Sequence, residues 1–387
     1  MVTLDHNKRN QAIKSMATAL RENFVLILEE NTLDLEYSRE MAVSELVLDW
    51  LKLNPKRLEV AIEALQRLAR LPDPLEQLYQ SEQKSTSGLV YEQPQPLGVV
   101  AFIYEGFPEL AAIAAGLAIK TGNSLILRGG SEGTHSHQTI AQTLQVALKQ
   151  TGLPESRLLY LPGDRSFSEL VTSAGVNLAI PYGRPSLVKQ VCEQATIPVL
   201  PTAMGNCYLY WSTAVSWETV RSILVDSHKS EPDAVNAIEK VLIHQEQKNS
   251  ALLLLWHSLQ EKGFQLRGDP ELATQFPQEL TLAKEGEWSS PYLNKTIAFR
   301  VVDSTEGAIA YINQYSSGHG DCLVTDSYSE SRQFARSITS ASLFINTSPR
   351  FDRCPEQREE VFLGMSRHRG LIGLKSFTTT KQIIQGN

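Results

Sequence analysis

The sequence predicts an α/β protein with two doubly wound blocks behind a helical N-terminal region. Residues 8–80 have apolar residues at helical spacing and few helix-breaking residues. Between residues 99 and 200, short apolar segments alternate with helical ones, and a second block that starts near residue 226 repeats this alternation. Strands that alternate with helices form βαβ units, and such units build parallel sheets.

Length and composition support a folded protein of two domains. The 387 residues exceed what one compact core usually holds, and 42% apolar with 20% charged residues are enough to build real cores. The net charge of −7 gives no general attraction to nucleic acid or anionic lipid. The N-terminus lacks the apolar core of a secretory signal, and the longest apolar runs are too short to span a bilayer. We expect a cytoplasmic protein that binds neither nucleic acid nor membrane.

The cysteines and histidines predict neither disulfides nor a metal site. The four cysteines are scattered without CxxC spacing, which is typical of reduced thiols that fill small spaces in cores. They are Cys192, Cys207, Cys322 and Cys354. His135 and His137 lie close together, but no acidic or thiol partner is near them in sequence. We therefore expect no metal.

The N-terminal helices are expected to end at LPDP (71–74), because proline lacks the amide proton that a helix interior needs. Residues 84–98 contain Pro94 and Pro96 and are predicted to form an exposed extended ribbon, since proline is tolerated only on edge strands. In the first block the predicted strands are 99–104, 124–128, 157–162, 177–181 and 197–200, and the predicted helices are 108–120, 133–150, 166–174 and one from Pro185. In the second block the predicted strands are 241–244, 297–302, 322–325 and 342–346, and the predicted helices are 250–262, 305–315 and 328–338.

The best candidate for an anion site is KTGNSLILRGGSE (120–132). Gly129 and Gly130 follow a strand and precede a helix, where backbone amides can approach an anion and the helix dipole favours negative charge. Arg128 adds a permanently charged donor. The segment IPYGRPS (180–186) also follows a strand. A tight turn is the competing interpretation of both segments, because no G-x-G-x-x-G occurs at a strand–helix junction.

Several segments, taken in order, resemble γ-glutamyl phosphate reductase, and the resemblance covers nearly the whole chain. They are PLGVVAFIYE (96–105), KTGNSLILRGGSE (120–132), EQATIPVL (193–200), HGDCLVTD (319–326), INTSPRF (345–351) and RGLIGL (369–374). The resemblance implies an aldehyde dehydrogenase-like fold with a dinucleotide-binding domain, a catalytic-type domain and a β oligomerisation element. We assign residues 1–225 to the first domain, 226–350 to the second and 351–387 to a tail that returns to the first domain.

The resemblance also implies a reaction: NADPH-dependent reduction of γ-glutamyl phosphate to glutamate 5-semialdehyde, in proline biosynthesis. A cysteine thiolate displaces phosphate to give a thioester, which hydride from NADPH reduces. The implied cofactor-binding residues are Lys120, Arg128, Gly129, Gly130, Gly183 and Ser186. The implied substrate-binding residues are Tyr104, Glu105, Asn346 and Arg350, and the implied catalytic positions are Val235 and Asn236.

The sequence departs from the family at the nucleophile and at anion-binding positions. The family's QRPSxCN segment is replaced by SEPDAVN (230–236), so that Val235 stands at the cysteine position and Glu231 at that of the arginine. Valine has neither the lone pair nor the leaving ability of a thiolate. Phe107 and Tyr182 stand where the family has the arginines of YESRPN and IPRGG, although arginine is the natural clamp for a carboxylate or phosphate.

Three functions stay open from the sequence. In the first, the chain performs the family reaction with a replacement thiol. The candidate thiols are Cys207 and Cys354, and the loop that contains Cys354 is expected to be exposed. Alternatively it is a non-catalytic paralogue that binds a nucleotide or a partner. A third possibility is direct hydride transfer without a thiolate, with Tyr104 or Tyr182 as the proton donor. We expect little or no reductase activity, and we expect a homodimer or higher homo-oligomer formed through residues 84–98 and 376–384.

Overall fold

The computed structural model describes residues 5–80, 89–164, 166–213, 215–229, 234–247, 249–367 and 369–385. The chain divides into two compact units. The first contains Met1–Thr202, Arg353–Gly364 and Leu371–Asn387, and the second contains Ala203–Asp352 and Met365–Gly370. Within the described part of the chain, no helix is long and apolar enough to cross a membrane.

The first unit begins with the predicted helical region. It contains α1 (His6–Glu22), α2 (Phe24–Glu40), α3 (Glu45–Leu51) and α4 (Pro55–Arg70). The side chain of Asn54 caps α4 by accepting a hydrogen bond from the amide of Arg57, and Pro55 occupies the first helical position. The helix ends immediately before Leu71 and Pro72, as the LPDP segment predicts.

A four-stranded parallel sheet follows the short strand β1 (Tyr79–Gln80) and the ribbon strand β2 (Leu89–Pro96). Its strands are β3 (Val99–Tyr104), β4 (Ser124–Gly129), β5 (Leu158–Leu161) and β6 (Leu178–Tyr182), in the order β5-β4-β3-β6. Its helices are α5 (Leu110–Lys120), α6 (Thr134–Gln150), α7 (Ser168–Thr172) and α8 (Pro185–Gln194). The order changes direction between β3 and β6, and in such sheets ligands bind beyond the carboxyl ends of the strands at this point. The segment predicted as a strand at 197–200 contributes only the bridge between Ala179 and Val199.

The second unit contains a seven-stranded parallel sheet of order β10-β9-β11-β8-β7-β12-β13. The strands are β7 (Cys207–Trp211), β8 (Ile238–His244), β9 (Gln265–Gly268), β10 (Thr281–Leu282), β11 (Thr296–Val302), β12 (Asp321–Val324) and β13 (Leu343–Ile345). The helices are α9 (Trp217–Ser227), α10 (Asn249–Glu261), α11 (Pro270–Gln275), α12 (Thr305–Tyr315) and α13 (Tyr328–Ser337). Separate cores around Trp256 and Phe334 cover its two faces, which confirms the doubly wound α/β class.

The second unit begins earlier than the sequence predicts. The expected boundary near residue 225 is corrected to residue 203, because β7 is hydrogen-bonded to β8 and β12 and therefore belongs to the second sheet. CYLYW (207–211), which forms β7, is not among the strands that the sequence predicts.

After β14 (Gly364–Ser366) and β15 (Gly370–Ile372), the strand β16 (Thr378–Gln385) pairs antiparallel with all of β2, in a sheet of order β1-β2-β16. Pro94 and Pro96 lie beyond the two residues of β2 that pair with β1, so neither proline has to donate to a second neighbour. The described part of the predicted ribbon thus begins at Leu89, and residues 84–88 lie outside the described residues.

Candidate functional site

The first candidate site is the carboxyl edge of the four-stranded sheet. Gly129 ends β4, and Gly130 leads to α6, as the sequence indicates for an anion-binding turn. The guanidinium of Arg128 donates to the carbonyl of Gly163 at 2.7 Å and lies 5.8 Å from the centre of the Phe167 ring. Partial burial lowers the pKa of Arg128 from its ordinary value. This edge therefore carries an oriented cation.

The two glycines of this turn have a packing role that the sequence does not reveal. A Cβ atom on Gly129 would lie 2.1 Å from Nδ1 of His137, and one on Gly130 would lie 2.0 Å from Oε2 of Glu132. The Glu132 carboxylate also accepts a hydrogen bond from the amide of Gly106 at 2.6 Å, and burial raises its pKa. A side chain at Gly129 would therefore clash with the buried His137 ring, and one at Gly130 would displace the Glu132 carboxylate, whether or not an anion binds.

An ion pair lies where the strand order changes direction. The Glu105 carboxylate accepts from the backbone amide of Arg184 at 2.6 Å and from its guanidinium at 2.8 and 3.0 Å. Gly183 has a φ of 150°, and a Cβ there would lie 2.4 Å from Cγ of Glu105. In this structure the Glu105 carboxylate binds Arg184 and packs against Gly183. The substrate-binding role of Glu105 and the cofactor-binding role of Gly183 stay predictions. Ser186 lies exposed in the first turn of α8, after Pro185.

Two residues assigned to ligand binding are buried in the first unit. The ammonium of Lys120 donates to Oδ1 of Asn10 at 2.8 Å and to the carbonyl of Leu71, and burial lowers its pKa to about 8. Lys120 ends α5, before β4 begins, at the sheet edge opposite Gly129. Tyr104 is fully buried, with its ring 4.7 Å from that of His137, and burial raises its pKa well above the ordinary value. Lys120 lies at the opposite end of β4 from Gly129, and Tyr104 ends β3 at the carboxyl edge but is buried, so the ligand-binding roles implied for both stay predictions.

Phe107 and Tyr182, which stand where the family resemblance implies arginines, are in contact with each other. Their rings meet edge to face at 5.4 Å, and Phe107 also stacks on Trp50 at 4.9 Å. The Tyr182 hydroxyl accepts from the Arg353 guanidinium at 3.0 Å. Aromatic pairs of this kind stabilise a core beyond their buried area. Two positions that the resemblance gives to arginine have become part of a single aromatic cluster.

The second candidate site, in the second unit, surrounds the predicted nucleophile position. Val235 has no exposed surface, and its carbonyl accepts from the amide of Gly205 at 2.9 Å and from Nε2 of His319 at 2.8 Å. The side-chain nitrogen of Asn236 donates to the carbonyl of Pro349 at 2.8 Å, while its buried Oδ1 has no hydrogen-bond partner. The backbone at this position is therefore held in place from two sides.

His319 acts here as a neutral hydrogen-bonding group. Burial lowers its pKa to about 4. Because the Val235 carbonyl can only accept, Nε2 carries the proton, and Nδ1 accepts from the Ser317 hydroxyl at 2.9 Å. Sγ of Cys207 lies 3.4 Å from Nε2. A neutral imidazole supplies no positive charge to stabilise a neighbouring thiolate.

None of the four thiols is arranged as a replacement nucleophile. Cys207 and Cys322 are fully buried, and burial raises the pKa of each thiol well above its ordinary value. Cys354 is buried as well, although most of its loop is exposed. Cys192 is exposed on α8, but partial burial and Glu193 raise its pKa. Reactive cysteines need the opposite shift.

The remaining predicted substrate residues lie near the end of β13. Asn346 has a φ of 54°, and its side-chain amide forms two hydrogen bonds, at 2.9 and 2.8 Å, with the backbone of Thr325. It therefore joins two loops. Arg350 is about half exposed and lies 3.4 Å from the carboxylate of Asp226. Over the described ranges of the chain, no group of three or more histidine, cysteine or acidic residues is arranged to hold a metal ion.

Comparison with known proteins decides the family. Over 387 residues the chain is 51% identical to γ-glutamyl phosphate reductase 2 of Synechocystis sp., covering 98% of this chain and 92% of that protein. This chain belongs to the γ-glutamyl phosphate reductase family. The crystal structure of γ-glutamyl phosphate reductase from Thermotoga maritima has 30% sequence identity and a TM-score of 0.88, covering 99% of this chain and 94% of the other. No family model matches the chain.

The fold of the γ-glutamyl phosphate reductase family is that of the aldehyde dehydrogenases. Glyceraldehyde-3-phosphate dehydrogenase of Methanocaldococcus jannaschii, solved in complex with NADP, is 15% identical with a TM-score of 0.70 and covers 99% of this chain and 90% of that one. At this identity the likeness concerns the fold alone. The comparisons confirm the family and fold that the sequence predicts.

Proposed function

We propose that this member of the γ-glutamyl phosphate reductase family binds a nicotinamide dinucleotide but does not reduce γ-glutamyl phosphate through a cysteine thioester. The observation that carries the proposal is Val235. At the predicted nucleophile position it presents an inert side chain without exposed surface, and a neutral imidazole occupies the adjacent space. In comparable covalent enzymes, loss of the nucleophile lowers turnover by roughly a million-fold.

Two mechanisms need no cysteine at residue 235: attack by a replacement thiol, and direct hydride transfer with a tyrosine as proton donor. The structure favours neither. Cys207 is the nearest thiol to His319, but it is buried in a setting that keeps it protonated. For direct hydride transfer, Tyr104 and Tyr182 were the candidate proton donors. Both are buried in the first unit and burial raises the pKa of both, which makes each a poorer acid.

Dinucleotide binding is supported by the carboxyl edge of the four-stranded sheet. Arg128 offers a permanently charged donor there, and the exposed hydroxyl of Ser186 in the first turn of α8 offers a neutral donor. These groups fit a nucleotide phosphate, and NADPH is the form that the family resemblance favours. When bound, the nicotinamide would supply hydride transfer.

The proposal includes assembly and location. Among the described residues no strand pairs with the outer edge of β16 in its three-stranded sheet, and most of the eight side chains of β16 are exposed. Such an edge favours pairing with another chain, so we propose a homodimer or higher homo-oligomer. The exposed thiol of Cys192 suits the reducing cytoplasm.

The test is a fluorescence titration of the purified full chain with NADPH, with a turnover assay on glutamate 5-semialdehyde in the same preparation. We expect binding without turnover. Arg128→Ala should weaken binding by about tenfold or more, because a hydrogen bond to a charged group contributes about 1.5–3 kcal/mol. Lys189→Ala, which removes an exposed cation of α8, is the matched control and should change binding little. Rapid wild-type turnover would refute the loss of chemistry, and absence of NADPH binding would refute the cofactor proposal.

A further inference from the structure

Helix α2 carries an exposed row of large apolar side chains. Leu26, Leu33, Tyr37 and Met41 follow one another at helical spacing, and they are 45%, 41%, 60% and 78% exposed. Together they expose on the order of 400 Å² of surface, a size that often marks a functional patch on a monomer. Isolated exposed apolar residues need no explanation, but a continuous row along one helix does.

The face of α2 that packs against the first unit lies about 100° around the helix from this row and is mostly polar, with Ile27 as its one fully buried apolar residue. Asn31 donates to the carbonyl of Leu51 at 2.9 Å and accepts from the amide of Leu53 at 2.8 Å. Asp34 accepts from the amides of His135 and Ser136, at 2.9 and 2.7 Å. A surface helix normally buries its apolar stripe and exposes its polar one. In α2 three of the four buried side chains are polar, while the apolar row is exposed, which favours a further element on the outer face.

The charges beside this row define what can cover it. Glu29, Glu36 and Glu40 repeat the spacing of Leu26, Leu33 and Tyr37, displaced by three residues along the helix, and all three are exposed. A row of carboxylates therefore runs beside the apolar row. A binding partner gains most by presenting apolar side chains flanked on the matching side by lysine or arginine.

We propose that the outer face of α2 docks an amphipathic helix of another protein, with an apolar row flanked by basic residues. The exposed area is about half of what each partner contributes to a standard interface, which fits one helix better than a globular face. A second copy of α2 is a poor occupant. In an antiparallel pair the same flank of each helix faces the other, so the two glutamate rows would repel, in a chain of net charge −7.

The experiment uses the purified full chain and two synthetic peptides of 18 residues. Both have one leucine row at helical spacing; the first has lysine flanks and the second has glutamate flanks. We expect fluorescence anisotropy to show binding of the lysine peptide only, and binding should weaken as salt rises. The double variant Leu33→Gln/Tyr37→Gln keeps every charge and should weaken binding by about tenfold or more. Leu254→Gln on α10, where the leucine is 51% exposed, is the control and should bind like the wild type.

Three outcomes would overturn the proposal. Binding of both peptides with equal affinity would show that the glutamate row selects nothing. Equal binding by the wild type and the double variant would show that general charge attraction holds the peptide. If light scattering shows that the double variant forms a smaller assembly than the wild type, a second copy covers this face. None of these depends on the titration of NADPH, so failure here is separable from failure of the proposed function.

Discussion

Restoring a cysteine at the predicted nucleophile position, Val235→Cys, is expected to restore neither acylation nor turnover. The substitution is nearly volume-conserving, and a buried thiol behaves as a small apolar group, so it should cost less than about 1.5 kcal/mol of unfolding free energy. Residue 235 has no exposed surface, and the neighbouring His319 is neutral because burial lowers its pKa to about 4. The introduced thiol therefore gains neither solvent access nor a cation.

The magnitude follows from thiolate chemistry. A cysteine of ordinary pKa is a few per cent thiolate at pH 7, and each unit by which burial raises the pKa lowers that fraction tenfold. Burial raises the pKa of Cys207, whose thiol lies beside the same nitrogen of His319 that donates to the Val235 carbonyl, well above its usual range. We expect the introduced thiol to be less than about 1% thiolate at pH 7.

The assay is alkylation by iodoacetamide at pH 7.5, followed by peptide mass spectrometry. Cys192 is exposed and serves as the internal reference within the same molecule. The introduced thiol should react at least about tenfold more slowly than Cys192, and both should react at similar rates after unfolding in urea. Faster alkylation at position 235 than at Cys192, or stoichiometric thioester formation with turnover, would refute the reasoning and show an intact catalytic site that lacks only its nucleophile.

Two further predictions concern stability. Glu109→Gln removes the carboxylate that accepts from the buried Arg57 guanidinium at 2.7 and 2.9 Å, and urea unfolding should show that the unfolding free energy falls by about 3–5 kcal/mol. The control Glu63→Gln, at an exposed ion pair, should lower it by less than about 1 kcal/mol. Equal losses in the two variants would contradict this reasoning. The pKa of His319 in the folded protein, about 4, lies below the value of about 6.5 in the unfolded chain. The stability that neutral His319 contributes is therefore complete above about pH 6.5 and is lost as the pH falls towards 4. In that window His319→Gln should reduce the pH dependence of the unfolding free energy by up to about 1.4 kcal/mol per pH unit. His257→Gln, at an exposed histidine, should leave the slope unchanged, and the prediction fails if both variants behave alike.

The strands of the first sheet could be predicted to within a residue or so because buried parallel strands are nearly continuous apolar runs. VVAFIY and SLILR are examples, and they form β3 and most of β4. CYLYW is not among the predicted strands, although it too is a continuous apolar run and is fully buried in β7. The segment 197–200 has strand composition but joins the sheet through only one bridge.

The candidate site shows the same division at the level of single residues. The sequence located Gly129, Gly130 and Gly183 at strand ends, but their contacts with His137, Glu132 and Glu105 exist only in the fold. Lys120 lies in one of the segments that resemble the family, and yet its side chain points into the interior. Motif position specifies where the backbone is, whereas the partner of a side chain depends on segments far away in sequence.

The sequence by itself determined the α/β class, the helical N-terminal region, the family resemblance and the absence of sulfur at residue 235, because each depends on local periodicity, ordered segments or the covalent identity of one residue. Only the tertiary structure decided that the Cys207 thiol is fully buried, that the rings of Phe107 and Tyr182 are in contact and that α2 exposes a row of apolar side chains to solvent. The physical reason is that accessibility, pKa and hydrogen-bond partners are set by the atoms that surround a group. Those atoms come from segments that only folding brings together.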